Sequence, residues 1–232
     1  MPHIPFTGIV ATIKTSGVSV ISKFRDPVSG LIHLFSALLA VIGLLALLVL
    51  TNGQGLKQLS MGIYGVSLVT LFTASAVYHL ANPADSALLK LRKFDHSAIY
   101  VLIAGTYTPI LINFFNGFLR WGFLALIWGI ALAGVIVKLF VINAPRWVTA
   151  GVYLVMGWMA VLIVKPMLQS MPSAALWWML AGGLTYSIGA IIYITKKMDF
   201  WPGVFGFHEV WHVFVSLAAL CHFIMIFRYI AI

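Results

Sequence analysis

Apolar residues fall into seven long runs, at about 29–50, 58–80, 95–115, 119–141, 146–167, 173–194 and 206–230, with short polar connectors between them. An α-helix rises about 1.5 Å per residue and bilayer hydrocarbon is about 30 Å thick, so each run is close to the roughly 20 residues that cross it. The connectors carry Asn52-Gly53-Gln54-Gly55, Asn82-Pro83, Asn116-Gly117, Asn143-Ala144-Pro145, Met171-Pro172 and Trp201-Pro202-Gly203, all turn or helix-break signals. Residues 1–27 mix apolar and polar positions and end in Ser22-Lys23-Phe24-Arg25-Asp26-Pro27, which predicts an amphiphilic or loose segment stopping at the membrane surface. No internal repeat breaks the series. The expectation is an all-α polytopic membrane protein, with an N-terminal interfacial segment over 1–27 and one seven-helix domain over 28–232.

Composition sharpens this picture. Of 232 residues 62% are hydrophobic and 8% charged, and the mean hydropathy is +1.06. An ordinary soluble domain carries about 25% charged residues, so the apolar surface of this chain has lipid as its solvent. The net charge of +9 does not point to nucleic acid, because the basic residues sit in connectors rather than along one face. The single cysteine, Cys221, excludes an intramolecular disulfide. No secretory signal is evident before the first apolar run, which is long enough to be retained as a span. Lys14, Lys23, Arg25, Lys90, Arg92, Lys93, Lys138, Arg146, Lys196 and Lys197 lie on one side, against Lys57, Arg120, Lys165 and Arg228 on the other. Ten against four predicts a cytoplasmic N-terminus, an outside C-terminus and residence in the cell (inner, cytoplasmic) membrane.

With that orientation the polar residues converge. His79 ends the second run, Asp95 and His96 open the third, and His208 and His212 open the seventh, all at the cytoplasmic edge. An ionisable group inside a membrane segment is costly and is a functional candidate by default. Residues four apart on a helix share a face, so His208 and His212 can reach one ion. All five acids, Asp26, Asp85, Asp95, Asp199 and Glu209, fall near this same side. A proton-coupled transporter would place a carboxylate or broken helix at the midplane, and none is visible.

His208-Glu209-Val210-Trp211-His212 matches the H-E-x-x-H pattern of zinc proteases, but so short a pattern arises easily by chance and here it opens a span. Taken together, Ser75-x-x-x-His79, Phe94-Asp95-His96-Ser97, Gly105-Thr106-Tyr107-Thr108-Pro109, His208-x-x-x-His212 and the seven spans resemble the hemolysin III family. This is the bacterial branch of the progestin and adipoQ receptor (PAQR) group, related to alkaline ceramidases. The resemblance runs from about residue 20 onward. It implies a zinc ion on His79, His208 and His212, with Asp95 holding the activated water and Ser75 one turn before His79. Zinc lowers the pKa of bound water to about 7, a carboxylate can take its proton, and a hydroxyl can donate to a developing oxyanion. Such a set would hydrolyse an amide or ester of a membrane lipid, the expected substrate class.

Bland readings stand beside these. The histidines could be a metal-free clasp between helices, Asp95 could pair with Lys93, Arg92 or a helix N-terminus, and Ser75 could serve a close helix contact. Glu209 is turned about 100° from His208 and is not assumed to face the ion. His96 is expected to face a neighbouring helix or headgroups, and His33 to pack, with a role behind a ligand as its alternative. His222 lies ten residues past His212, about 15 Å along a helix, and is excluded from the same ion. Thr108-Pro109 predicts a kink, with Thr106 and Thr108 able to repair freed backbone bonds. The leading expectation is a lipid-directed zinc hydrolase or a lipid-linked membrane-homeostasis factor. A receptor-like regulator with structural zinc is the alternative. A pore-forming cytolysin stands third, since no amphipathic pore-lining helix is present. Gly129, Ala133, Gly134, Gly182, Gly183 and Gly189 permit close contacts within or between protomers, so the oligomeric state is left open.

Overall fold

A computed structural model describes residues 24–232, so most of the N-terminal segment lies outside the described residues. Seven helices are long and apolar enough to cross a membrane: α1 (Pro27–Leu50), α2 (Leu56–Leu80), α3 (Asp85–Phe114), α4 (Gly117–Phe140), α5 (Arg146–Ser170), α6 (Ser173–Thr195) and α7 (Phe207–Ala231). The chain is a multi-pass membrane protein. Its connectors break where the sequence placed turns. Gly53 and Gly55 in the first connector and Gly117 at the start of α4 take positive φ, which an L side chain adopts only with strain.

Consecutive helices pack on one another, least across the α4–α5 connection, where Lys138 still reaches Thr149, and α7 returns against α1. The centre is α3, which touches α2, α4, α5 and α7. Within its apolar window 67% of residues are buried, against 17% in α4, so α4 is a peripheral helix facing lipid. Small residues set these approaches. A Cβ on Gly105 of α3 would run into Ser67 of α2, and one on Gly134 of α4 would enter the Tyr100 ring. A Cβ on Gly189 of α6 would meet Phe214 and Trp211 of α7, whereas Gly129 has open space around it.

Two helices depart from expectation. α3 starts at Asp85, ten residues before Asp95, so Asp95 and His96 do not open the helix but sit three turns inside it. The stretch 85–94 is too charged to register as an apolar run, yet Pro83 sets the break just before it and Asp85 favours the positive end of the helix dipole. α3 then runs continuously through Pro109. Thr106 and Thr108 donate to the carbonyls of Leu102 and Ala104 rather than to that of Gly105, whose usual donor the proline lacks.

α5 is interrupted. Its middle, Trp158–Ile163, tightens into a 3-10 turn, three residues ahead of Pro166, which cannot donate to the carbonyl of Leu162. The irregular backbone is met by α3: the Tyr107 hydroxyl donates to the carbonyl of Gly157 at 2.6 Å and accepts from the Ala160 N–H at 2.8 Å. Unpaired backbone groups are costly in lipid, and one phenol satisfies both.

Candidate metal centre

At the end of the bundle where α1 begins, His79 closes α2 and His208 and His212 open α7. Among the described residues, these three form a group able to hold a metal ion, with one nitrogen from each all within 4.8 Å of one another. The i,i+4 spacing brings the Nε2 atoms of His208 and His212 to 3.1 Å. His79 and His212 are both buried.

The surrounding contacts orient these rings. Asp26, just before α1, accepts from His79 Nδ1 at 3.1 Å and from Arg25 Nε at 2.9 Å. Partial burial pushes the Asp26 carboxyl up, but the hydrogen bonds from His79 and Arg25 outweigh it and hold the group below its ordinary value of 3.8. With Nδ1–H given to a carboxylate, His79 turns its Nε2 lone pair toward the other imidazoles. His33 of α1 does the same for α7, both of its ring nitrogens lying 3.0 Å from His212 Nδ1. His33 thus packs against the Phe72 ring and also meets His212, so it stands directly behind one of the three clustered imidazoles.

Glu209, the acid of the H-E-x-x-H match, is occupied elsewhere. Its Oε2 accepts from the Gly206 N–H at 2.8 Å and its Oε1 accepts from the Ser29 hydroxyl at 2.9 Å. It caps α7 and ties it to α1, as its 100° offset from His208 suggests.

Asp95 and Ser75 are both buried and both line the same chamber. The chamber is a cavity of about 820 Å³ with His79, His208, His212, Ser75 and Asp95 around its polar end. Away from them it is lined by apolar residues of α3, α5, α6 and α7, among them Leu102, Ile103, Met167, Leu176 and Val215. Some lining residues are also outward-facing: Val161 is 55% exposed, Leu168 66% and Trp177 71%, so the cavity opens on the outer face between α5 and α6. His222 is absent from the metal group, as its distance requires, but lines this cavity beside Tyr186. His96 faces the chamber too, and not a neighbouring helix alone.

The family model described as "Haemolysin-III related" matches residues 21–223. The chain belongs to the hemolysin III family. It is 35% identical over 200 residues to the hemolysin-3 homolog of Bacillus subtilis, covering 85% of this chain and 90% of that one. To hemolysin-3 of Bacillus cereus it is 34% identical over 203 residues, covering 85% and 88%. The likeness extends to the PAQR group, with 30% identity over 207 residues to the human monocyte to macrophage differentiation factor, covering 85% and 81%.

The donor set suits the metal that the hemolysin III resemblance implies. Tetrahedral zinc with nitrogen ligands at about 2.0–2.1 Å sets those nitrogens about 3.4 Å apart, and three protein ligands leave one position open. Three imidazole nitrogens within 4.8 Å of one another, two of them buried, give a cation a ready donor set. The carboxylate behind His79 is an outer partner that metal-binding histidines ordinarily have, and His33 offers His212 Nδ1 a ring nitrogen in the corresponding place.

Proposed function

We propose that this hemolysin III protein is a zinc-dependent hydrolase of a lipid amide or ester, working at the cytoplasmic edge of the cell membrane. The observation that carries the reading is a three-histidine cluster with a buried carboxylate and hydroxyl at the polar end of a cavity whose far part is lined by apolar residues and opens toward lipid. His79, His208 and His212 hold the zinc, and Asp26 and His33 keep their rings in place. Bound there, zinc supplies an acidified water and polarises a carbonyl. Asp95 would accept a proton from the attacking water and pass it to the leaving group. Ser75 donates to the carbonyl oxygen as it gains charge and otherwise keeps Asp95 oriented. Acyl chains enter between α5 and α6 and lie along the apolar wall, which keeps bulk water from the reacting end.

Two measurements test this. Detergent-purified protein is expected to carry about one zinc per chain, lost in the His208→Ala/His212→Ala variant. Asp95→Asn is expected to retain zinc while turnover of ceramide-like and phospholipid amides or esters falls by at least about 100-fold. A second reading has its own support, since Asp26–His79 and His33–His212 link α1 to α2 and α7, as a structural zinc clasp would. Zinc content with no turnover of any such lipid in wild type would select the clasp.

A further inference from the structure

Beside the metal centre the chamber has a second polar wall, built from the start of α5, the ends of α4 and the charged beginning of α3. Arg92 and Arg146 line the cavity directly. Lys138, 3% exposed, lies behind them and donates to Thr149 Oγ1, itself on the cavity wall, at 3.0 Å. None of these three cations is within ion-pair reach of a carboxylate among the described residues, where the ion pairs are Arg25 and His79 with Asp26. Arg92 has only the neutral Asn143 Oδ1, at 3.3 Å. Arg146 sits over the rings of Tyr193 and Phe207, 5.2 and 5.0 Å from their centroids, and its Nη1 is buried without a hydrogen-bond partner. His96 Nδ1, on the same cavity wall, is likewise buried and unpartnered.

A general preference for basic residues at the cytoplasmic boundary explains exposed lysines such as Lys196 and Lys197. It does not explain a lysine sealed in the interior, or buried donors left open on a cavity wall. Uncompensated charge at low dielectric is costly, and the nearby acids do not offset it: Asp26 is committed to Arg25 and His79, Glu209 to Gly206 and Ser29, and Asp95, on the same cavity wall, forms no ion pair with these cations among the described residues. We infer that this wall is a binding site for the phosphate headgroup of a lipid whose acyl chains occupy the apolar part of the cavity. Two guanidiniums and an imidazole on the wall, with an ammonium behind them, suit a phosphate better than a carboxylate, since phosphate carries more charge and more acceptors. For the position of the scissile bond this rests on the hydrolase reading above; for binding it does not.

The test is equilibrium binding to zinc-loaded, detergent-purified protein, with dioctanoyl phosphatidic acid, dioctanoylglycerol and inorganic phosphate as probes. Zinc content is measured on every sample, and hydrolysis of a neutral ceramide-like amide is followed separately in wild type. Wild type is expected to bind the phosphatidic acid at least about tenfold tighter than the diacylglycerol. Arg92→Gln/Arg146→Gln should bring that ratio near one with zinc retained, Arg146→Lys should keep part of it, and Lys196→Gln/Lys197→Gln should keep all of it. A wild-type ratio near one overturns the proposal, as does a ratio preserved in the double arginine variant or lost in the double lysine variant. Inorganic phosphate binding as tightly as the lipid also overturns it, because the site would then take the free anion. Failure of the hydrolase reading is separate: it is absent turnover, whatever the binding ratio.

Discussion

His79 has two nitrogens, and a single carboxylate decides which of them is available. Asp26 takes the Nδ1 proton, so the ring presents Nε2 inward. Asp26→Asn, which cannot hold that tautomer as firmly, is expected to weaken zinc binding by about 10–100-fold, read by competition with a chelator. His33→Ala should weaken it over a similar range of about 10–100-fold by freeing His212. Glu209 belongs to a different ledger. Glu209→Ala should keep its zinc and lower stability by about 0.5–2 kcal/mol through loss of the cap, measured as a thermal shift. A protease-like role for Glu209 would instead predict intact stability and lost turnover. Neither Asp26 nor His33 could be assigned its partner from the sequence, because the contacts close over 53 and 179 residues. The three clustered histidines were easier to read: a polar ring in an apolar run stands out by itself, and two of them share one helix face.

Among the helices, α3 does the organising. It brings Asp95 to the cavity that Ser75 also lines, closes on α2 through Gly105 and reaches into α5 with Tyr107. Tyr107→Phe leaves the Gly157 carbonyl and the Ala160 N–H without their partner, and is expected to cost about 1–3 kcal/mol in thermal stability. Gly105→Val would push α2 from α3 at Ser67, and overpacking of this kind costs about 1–3 kcal/mol. Its effect should extend to turnover, since Ser75 and Asp95 belong to the two helices being separated. The seven spans were legible because lipid demands unbroken apolar runs. The true start of α3 was not, because its first three turns are charged and follow no apolar period. The turn within α5 was equally hidden: Pro166 marks it, but only the Tyr107 hydroxyl, 50 residues earlier in the chain, makes the irregular backbone tolerable.

On the scale of the whole molecule, a polar chamber near one end of the bundle connects to an apolar one that opens between α5 and α6. Narrowing that opening separates access from chemistry. Val161→Trp is expected to slow turnover of long-chain substrates while short-chain analogues are spared and zinc content is unchanged, which a chain-length series would reveal. The connectivity carries one more consequence, for how the protein is made. One ligand arrives with the second span and the other two with the last, so no ribosome-bound precursor lacking α7 can own a complete coordination set. If the proposed zinc binds there, its loading is a signature of finished biogenesis: a chain whose final helix fails to insert is expected to stay metal-free, and metal content in a membrane fraction to report the share of molecules that have reached their full topology.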